Sequence, residues 1–255
     1  MMIFTAFGIF AQVAGAEKSF SLVDLELAGL LDLVGLTIAI WTLWSSLWLP
    51  LGGNLLRAFR LISLGALAFA LSHLMDTLIQ NLQLTNLETA TLIHHGTVLT
   101  AMLFFVPGLA SLADALPDFA APFPTNPQLR LWPFAVGLAL TVGALSFILY
   151  GFSFEAEFWA FVGLDGSLVL LSGVCVFLVL RARLGGPIGS SLWFALLGLL
   201  IFSLAHPLQA WLYEQETYTP GTLGVLHRAV VIPAFCLFAI SITNLGQKLS
   251  RSKAL

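Results

Sequence analysis

The 255-residue chain is too apolar for a water-soluble domain, because 59% of its residues are hydrophobic and only 9% are charged, against roughly 25% charged residues in soluble domains. Ten Lys and Arg against 13 Asp and Glu give a net charge of −3, so no basic surface for nucleic acid is expected. The composition predicts an integral membrane protein whose main partner is the lipid bilayer. It excludes soluble nucleotide-binding enzymes and disordered chains.

Residues 1–16 form an apolar segment that ends in small residues, Ala14 and Ala16. This ending is typical of a signal-peptide cleavage site, but the basic region that begins a signal peptide is missing. We therefore expect a retained segment at the outer membrane interface rather than a cleaved signal peptide. Residues 17–255 are predicted to form a single membrane domain.

Seven apolar runs follow in chain order, and each is long enough to cross a bilayer as a helix of about 20 residues. They are residues 25–49, 58–82, 89–112, 131–152, 158–180, 191–212 and 223–245. Segments rich in Pro and Gly separate several of them, and none shows the strict alternation of a membrane β-barrel strand. The sequence therefore predicts an all-α fold, a bundle of seven transmembrane helices.

The basic residues predict how this bundle is oriented, because cytoplasmic loops carry an excess of Lys and Arg. One side of the predicted bundle carries Arg57, Arg60, Arg130, Arg181, Arg183, Lys248, Arg251 and Lys253, and the other carries only Lys18 and Arg228. The N-terminus is therefore predicted outside and the C-terminus inside. We expect the plasma membrane of a bacterium or an archaeon.

The chain contains an internal repeat at an offset of 133 residues. This shift places Asp32 on Asp165, His73 on His206 and His94 on His227 without a gap. Intramembrane Asp and His are rare and costly, so these matches carry more weight than matches between leucines. Spans one to three (about 25–112) and five to seven (about 158–245) are therefore predicted to be parallel copies in a 3+1+3 plan. Residues 131–152 form the linker helix.

The duplicated polar residues all fall in the outer half of the predicted bundle, at depths of about 5–14 Å. An unpaired polar group in lipid costs several kcal/mol, so these side chains should face one another or a water-filled cavity. Two imidazoles with a carboxylate are a common ligand set for zinc or non-haem iron, and histidines also suit copper. The sequence predicts one or two transition-metal ions (Zn, Cu or Fe), with Asp32, His73, His94, Asp165, His206 and His227 as ligands.

Further polar residues lie near the predicted ligands: Asp76, Gln80, Gln209, Tyr213, His95 and Arg228. A ligating His usually donates its second ring N–H to a carboxylate or an amide, which Asp76 and Gln209 can provide. His95 and Arg228 are expected at the outer rim, where an anionic headgroup or a propionate would bind. The sequence has no known catalytic signature. If the protein is an enzyme, the ion would activate water or dioxygen, with Asp76 as the candidate general base.

Two other functions remain open at this point. The four histidines His73, His206, His94 and His227 could be axial ligands of b-type haem or of a chlorophyll-type pigment, as in an electron-transfer subunit of a respiratory or photosynthetic complex. Alternatively, duplicated intramembrane Asp and His could serve a proton- or cation-coupled transporter or sensor. The predicted metal site would suit a membrane metalloenzyme or a metal-bearing subunit of a membrane oxidoreductase. If the protein is such a subunit, or a haem- or pigment-binding one, its partners would be the other subunits of a membrane complex.

Overall fold

A computed structural model describes residues 22–82, 87–115, 134–143, 173, 186–214 and 220–252, and all of them are helical except the turn at residues 48–52. Six helices lie in these ranges: α1 (Leu22–Leu47), α2 (Gly53–Leu82), α3 (Leu87–Ala115), α4 (Phe134–Gly143), α5 (Gly186–Glu214) and α6 (Pro220–Ser252). All except α4 contain a stretch long and apolar enough to cross a membrane. The prediction of an all-helical integral membrane protein is confirmed.

The predicted count of seven spans is not tested by these residues. The short helix α4 lies within predicted span four. Predicted span five lies outside the described residues apart from residue 173, as does the N-terminal segment 1–16. The seven-helix count, the linker helix and the orientation therefore stay predictions.

Four of the five long helices form two antiparallel hairpins, and α1 packs against one helix of each hairpin. Helices α2 and α3 pack along their lengths, as do α5 and α6, while α1 packs against both α2 and α6. A short turn joins α1 to α2. This turn ends at Gly53, whose φ of 61° lies in the left-handed region that glycine adopts without steric cost. Because α1 touches the last helix of the chain, residues far apart in sequence meet at the junction of α1, α2 and α6.

An aromatic cluster fills the centre of the bundle between the hairpins. The ring of Phe69 in α2 packs edge-on against Phe202 in α5, with 4.2 Å between ring centroids, and Phe105 in α3 lies 5.1 Å from Phe202. All three rings are fully buried. Edge-to-face contacts of this kind stabilise a packed core beyond the area that they bury. Phe69 and Phe202 therefore hold the two hairpins together.

The outward face of α1 is apolar and exposed. Leu30, Ile40 and Trp44 are each more than half exposed, and Trp48 in the turn after α1 is 71% exposed. A soluble monomer rarely exposes a continuous apolar face of this kind, whereas a membrane helix presents such a face to acyl chains. The exposure of α1 therefore indicates contact with the lipid bilayer.

Each hairpin contains a close helix–helix contact in which a phenylalanine ring of one helix packs against a glycine of the other. A Cβ added at Gly65 of α2 would lie 2.8 Å from the ring of Phe105 in α3, and one added at Gly198 of α5 would lie 2.9 Å from the ring of Phe238 in α6. The two contacts are related by the same 133-residue offset that relates the Asp and His residues. The helices α2 and α5 also begin 133 residues apart, as do α3 and α6.

Replacing either glycine by alanine is expected to destabilise the protein by about 1–3 kcal/mol, because buried aromatic rings cannot move away from an added methyl group. Gly65→Ala and Gly198→Ala would both show this loss in thermal unfolding of the detergent-purified protein. Gly96→Ala in α3 is the matched control, since no atom lies within 4 Å of its added Cβ. It should be neutral or slightly stabilising. A Gly65→Ala protein that unfolds like the control would contradict the close contact.

Candidate functional site

An ionic cluster lies buried where α1, α2 and α6 meet. Arg228 of α6 donates from Nε to Asp32 Oδ1 of α1 at 2.8 Å, and from Nη2 to Asp76 Oδ2 of α2 at 3.2 Å. Nη2 also donates to Thr77 Oγ1 at 2.9 Å, and this hydroxyl donates to Asp32 Oδ2 at 2.5 Å. All four residues are less than 9% exposed. They are called the ionic cluster below.

The guanidinium geometry explains why an arginine suits this position. Its nitrogens form a rigid fork that can serve several acceptors at once, and here a fourth contact runs from Nη1 to the carbonyl of Gly224, at 3.2 Å within α6. A buried charge pair is tolerated only when its polar atoms find such partners. The cluster therefore joins the first and last described helices through well-satisfied charges.

A histidine pair lies directly beside the ionic cluster. Nε2 of His73 in α2 and Nε2 of His227 in α6 are 3.3 Å apart, and both residues are about 95% buried. His73 precedes Asp76 by one helical turn, and His227 immediately precedes Arg228. The edge of the aromatic cluster supports the pair, since the Phe69 ring centroid is 4.4 Å from that of His73. Ring nitrogens at this distance suit an N–H···N hydrogen bond in which either histidine can be the donor.

A small cavity lies between His73 and the ionic cluster. Its volume is about 10 Å³, and Asp32, His73 and Arg228 are among the residues that line it. A space of this size holds about one water molecule, and the three polar residues in its otherwise apolar lining offer the hydrogen-bond partners that a water needs. The two polar groups thus form one continuous site.

The ionic cluster places charged groups of both signs beside the histidine pair. Among its described residues these are two carboxyl groups and one guanidinium. The site lies inside the apolar spans: His73 is six residues from the end of Gly53–Ile79, and His227 is five residues from the start of Thr222–Lys248. That places both about 8–9 Å from the span ends. At such a depth, charged groups act more strongly on a neighbouring side chain than they would in water.

The structure brings together part of the predicted ligand set. Asp32, His73 and His227 meet in one site, together with Asp76 and Arg228 from the predicted surroundings. Gln209 is half-buried on α5. Asp165 lies outside the described residues, and the structure describes only the helical backbone, not the side chains, for the other predicted residues: His94, His206, Gln80, His95 and Tyr213.

The described contacts give Asp32 a partner other than a metal. Both of its carboxylate oxygens are engaged, one by Arg228 and one by Thr77. Among the residues that the structure describes, no group of three or more His, Cys, Asp or Glu is placed to hold a metal ion. The six-ligand metal site stays a prediction, and the histidine pair is the part of it that the structure brings within ligand distance.

Two features of the site were not evident from the sequence. No pattern in the sequence indicates Thr77, although it follows Asp76 directly and lies one helical turn after His73. Arg228 was expected at the rim, whereas it is 6% exposed and bridges two carboxylates. The available signal was electrostatic, since buried carboxylates need a cation and Arg228 is the one Lys or Arg in the predicted spans on that side.

No protein-family model, curated protein or solved structure matches this chain. The fold and the site therefore define its class by themselves. It is a helical integral membrane protein with an ionic cluster and a histidine pair buried inside its bundle.

Proposed function

We propose that this membrane protein binds a transition-metal ion through the histidine pair. The observation that supports this proposal most directly is the 3.3 Å distance between the Nε2 atoms of His73 and His227. Two nitrogen ligands bonded to a tetrahedral zinc at 2.0–2.1 Å are about 3.3–3.4 Å apart. The two imidazoles are thus spaced for a single ion, and their burial favours a fixed position.

The ionic cluster supports the same proposal through its position. Its two carboxyl groups lie beside the histidine pair, where they would stabilise a bound cation. Asp32 would then act beside the ion rather than as a ligand, since its oxygens bond Arg228 and Thr77. Positions on the ion that the protein leaves open would take water or a small molecule, which is the arrangement of a catalytic rather than a structural site. The predicted metalloenzyme or metal-bearing oxidoreductase subunit fits this arrangement.

The same distance disfavours a haem or a chlorophyll-type pigment between these two residues. Axial ligands on opposite faces of a haem iron lie about 4 Å apart, with the macrocycle between them. At 3.3 Å the imidazoles leave no room for that plane.

A proton-coupled transporter or sensor is the second candidate. The distance between the two nitrogens also suits an N–H···N hydrogen bond, and the adjoining cavity of about 10 Å³ has room for one water. In this reading the histidine pair binds a proton in place of a metal ion. The neighbouring carboxyl groups of Asp32 and Asp76 would stabilise that proton for the same electrostatic reason.

Elemental analysis of the detergent-purified protein tests the proposal. We expect Zn, Cu or Fe to copurify, and His73→Gln and His227→Gln each to lower its occupancy at least tenfold. Ser72→Ala is the matched control: it changes a neighbouring buried side chain whose hydroxyl donates to the carbonyl of Phe69 in its own helix. This variant should keep its metal.

Other outcomes separate the alternatives. Full occupancy in both histidine variants would refute the ligand assignment. A Soret band would indicate haem, and a long-wavelength pigment spectrum would indicate a chlorophyll. A metal-free protein that takes up a solute with protons in vesicles would support the transporter.

A further inference from the structure

We propose that the end of the bundle where α1 ends and α2 begins binds the headgroup of an anionic phospholipid. The binding site consists of Arg57 and Arg60 on α2 together with Trp44 and Trp48 beside the end of α1, and it is called the headgroup site below. His73 lies thirteen residues further along α2 than Arg60, which is roughly 20 Å along the helix. The headgroup site is therefore separate from the histidine pair and does not depend on the metal assignment.

The charge of Arg60 belongs to a residue inside an apolar span. Arg60 is seven residues from the start of the span Gly53–Ile79, or about 10 Å along the helix, and its side chain is half-buried. Its Nη2 donates to the carbonyl oxygen of Leu47, the last residue of α1, at 3.2 Å. A long basic side chain that begins inside a bilayer commonly extends towards the interface in this way. The guanidinium of Arg60 therefore lies at the end of α1.

Within the part of the chain that the structure describes, this guanidinium has no carboxylate partner. The carbonyl of Leu47 is a neutral acceptor, whereas Arg228 in the ionic cluster bonds two carboxylates. Among the described side chains, the acid at this end of the bundle is Asp114, and its Oδ2 accepts a hydrogen bond from Asn54 Nδ2. A guanidinium presents five donors in a planar fork that fits the oxygens of a phosphate. The charge of Arg60 therefore favours an anion supplied by the membrane.

Arg57 adds a second guanidinium close to the first. It precedes Arg60 by three residues, and residues at this spacing are neighbours on a helix surface. Its side chain is exposed, so it is accessible to a headgroup at the interface. Each basic residue near a membrane surface strengthens the attraction of anionic lipid. Two guanidinium groups one helical turn apart therefore favour an anionic phospholipid over a zwitterionic one.

Two tryptophan rings supply the apolar part of the headgroup site. Trp44 is 57% and Trp48 71% exposed, and their ring centroids are 5.8 Å apart. Trp48 follows Leu47 directly, so the rings lie beside the carbonyl to which Arg60 donates. Tryptophan favours the boundary between acyl chains and headgroups, because its ring is apolar and its N–H is polar. A phospholipid therefore matches the site with its phosphate on the guanidinium groups and its acyl chains on the rings.

Contacts with α6 hold the end of α1 in place. Trp41 Nε1 donates to Thr243 Oγ1 at 3.4 Å, and a Cβ added at Gly246 would lie 3.5 Å from Leu49. A binding surface that is already ordered loses less conformational freedom when a ligand binds. The headgroup site is therefore formed before a lipid binds to it.

Lipid binding to the detergent-purified protein tests the proposal. Native mass spectrometry with added phosphatidylglycerol, which is anionic, or phosphatidylcholine, which is zwitterionic, would count the bound molecules and compare their affinities. We expect phosphatidylglycerol to bind at least about tenfold more tightly, since each of two basic groups contributes about a fivefold gain. Equal affinities of the two lipids would overturn the proposal. This comparison needs no variant, so a variant that fails to fold does not prevent the test.

Single substitutions locate the lipid. Arg57→Gln and Arg60→Gln should each weaken the binding of phosphatidylglycerol about fivefold and leave that of phosphatidylcholine unchanged. Lys248→Gln is the matched control, because it removes one charge from an exposed side chain at the same end of the bundle, two residues beyond Gly246. A charge that does not contact the phosphate is screened by salt, so this variant should bind like the wild type. Equal losses for Arg60→Gln and Lys248→Gln would overturn the assignment to the headgroup site.

A soluble competitor separates a lipid from a free anion. Glycerol phosphate carries the phosphate group without acyl chains, so it cannot gain from contact with Trp44 and Trp48. At equal concentration it should leave phosphatidylglycerol bound. Displacement of the lipid under these conditions would mean that the two arginines bind a soluble phosphate, and it would overturn the lipid assignment. Bound metal is expected to stay the same in all of these variants, so the result does not depend on the proposed function.

Discussion

Replacing Arg228 with glutamine is expected to lower the free energy of unfolding by about 3–5 kcal/mol. The guanidinium contacts Asp32 at 2.8 Å and Asp76 at 3.2 Å, and all three side chains are buried. Without it, two carboxylates would remain at membrane depth without their cation, and that cost exceeds the loss of the hydrogen bonds. Chemical unfolding in mixed micelles, followed by circular dichroism, would measure the change.

Two further variants show whether the loss of stability comes from the buried charges. Arg57→Gln makes the same chemical change at an exposed position on α2 and should alter stability by no more than about 0.5 kcal/mol. Adding Asp32→Asn to Arg228→Gln removes one of the two carboxylates that lost their cation, and it should restore about 1–3 kcal/mol of the free energy of unfolding. If Arg228→Gln proved as mild as Arg57→Gln, the ionic cluster would not be a stabilising feature of the bundle.

Phe69→Ala is expected to cost about 3–5 kcal/mol, since it removes a fully buried ring from the centre of the molecule. In lipid, helices associate mainly through close packing, and this ring touches the other hairpin at Phe202 as well as the imidazole of His73. The variant should therefore also weaken the proposed metal binding at the histidine pair. Thermal unfolding and bound-metal content would be measured on the same preparation.

The control for this prediction lies on the same helix. Leu71 is 43% exposed, so Leu71→Ala removes a side chain that faces lipid and should cost well under 1 kcal/mol. Equal losses for Phe69→Ala and Leu71→Ala would mean that the aromatic cluster does not hold the hairpins together.

The sequence was sufficient to predict the long helices, because a bilayer-spanning helix needs an uninterrupted apolar run that can be recognised locally. The predicted span 58–82 corresponds to α2 (Gly53–Leu82), and 223–245 lies within α6 (Pro220–Ser252). The helices extend past several predicted ends, since a helix continues into the polar interface where hydropathy has already fallen. Hydropathy therefore finds the buried middle of each span better than its ends.

The pairing of the site residues could not be predicted in the same way. Depth along each helix placed Asp32, His73 and His227 in one layer, and the structure brings these three together. Which side chains meet within a layer depends on how the helices are rotated and which are neighbours. That information lies in contacts such as Gly35 with Phe235, which no local pattern reveals. Arg228 was accordingly expected to contact a headgroup rather than two carboxylates.

The tie between Asp32 and Arg228 has a consequence for biosynthesis. The two residues are 196 positions apart, and ribosomes add about 5–20 residues per second, so the acid of the first described helix is made roughly 10–40 s before its cation. During that interval the nascent chain needs either a protonated carboxyl group or shelter from lipid at the insertion machinery. Closure of the bundle must therefore be a late event that awaits the arrival of the final helix, and ribosomes stalled before that helix should yield chains open to quality-control proteases.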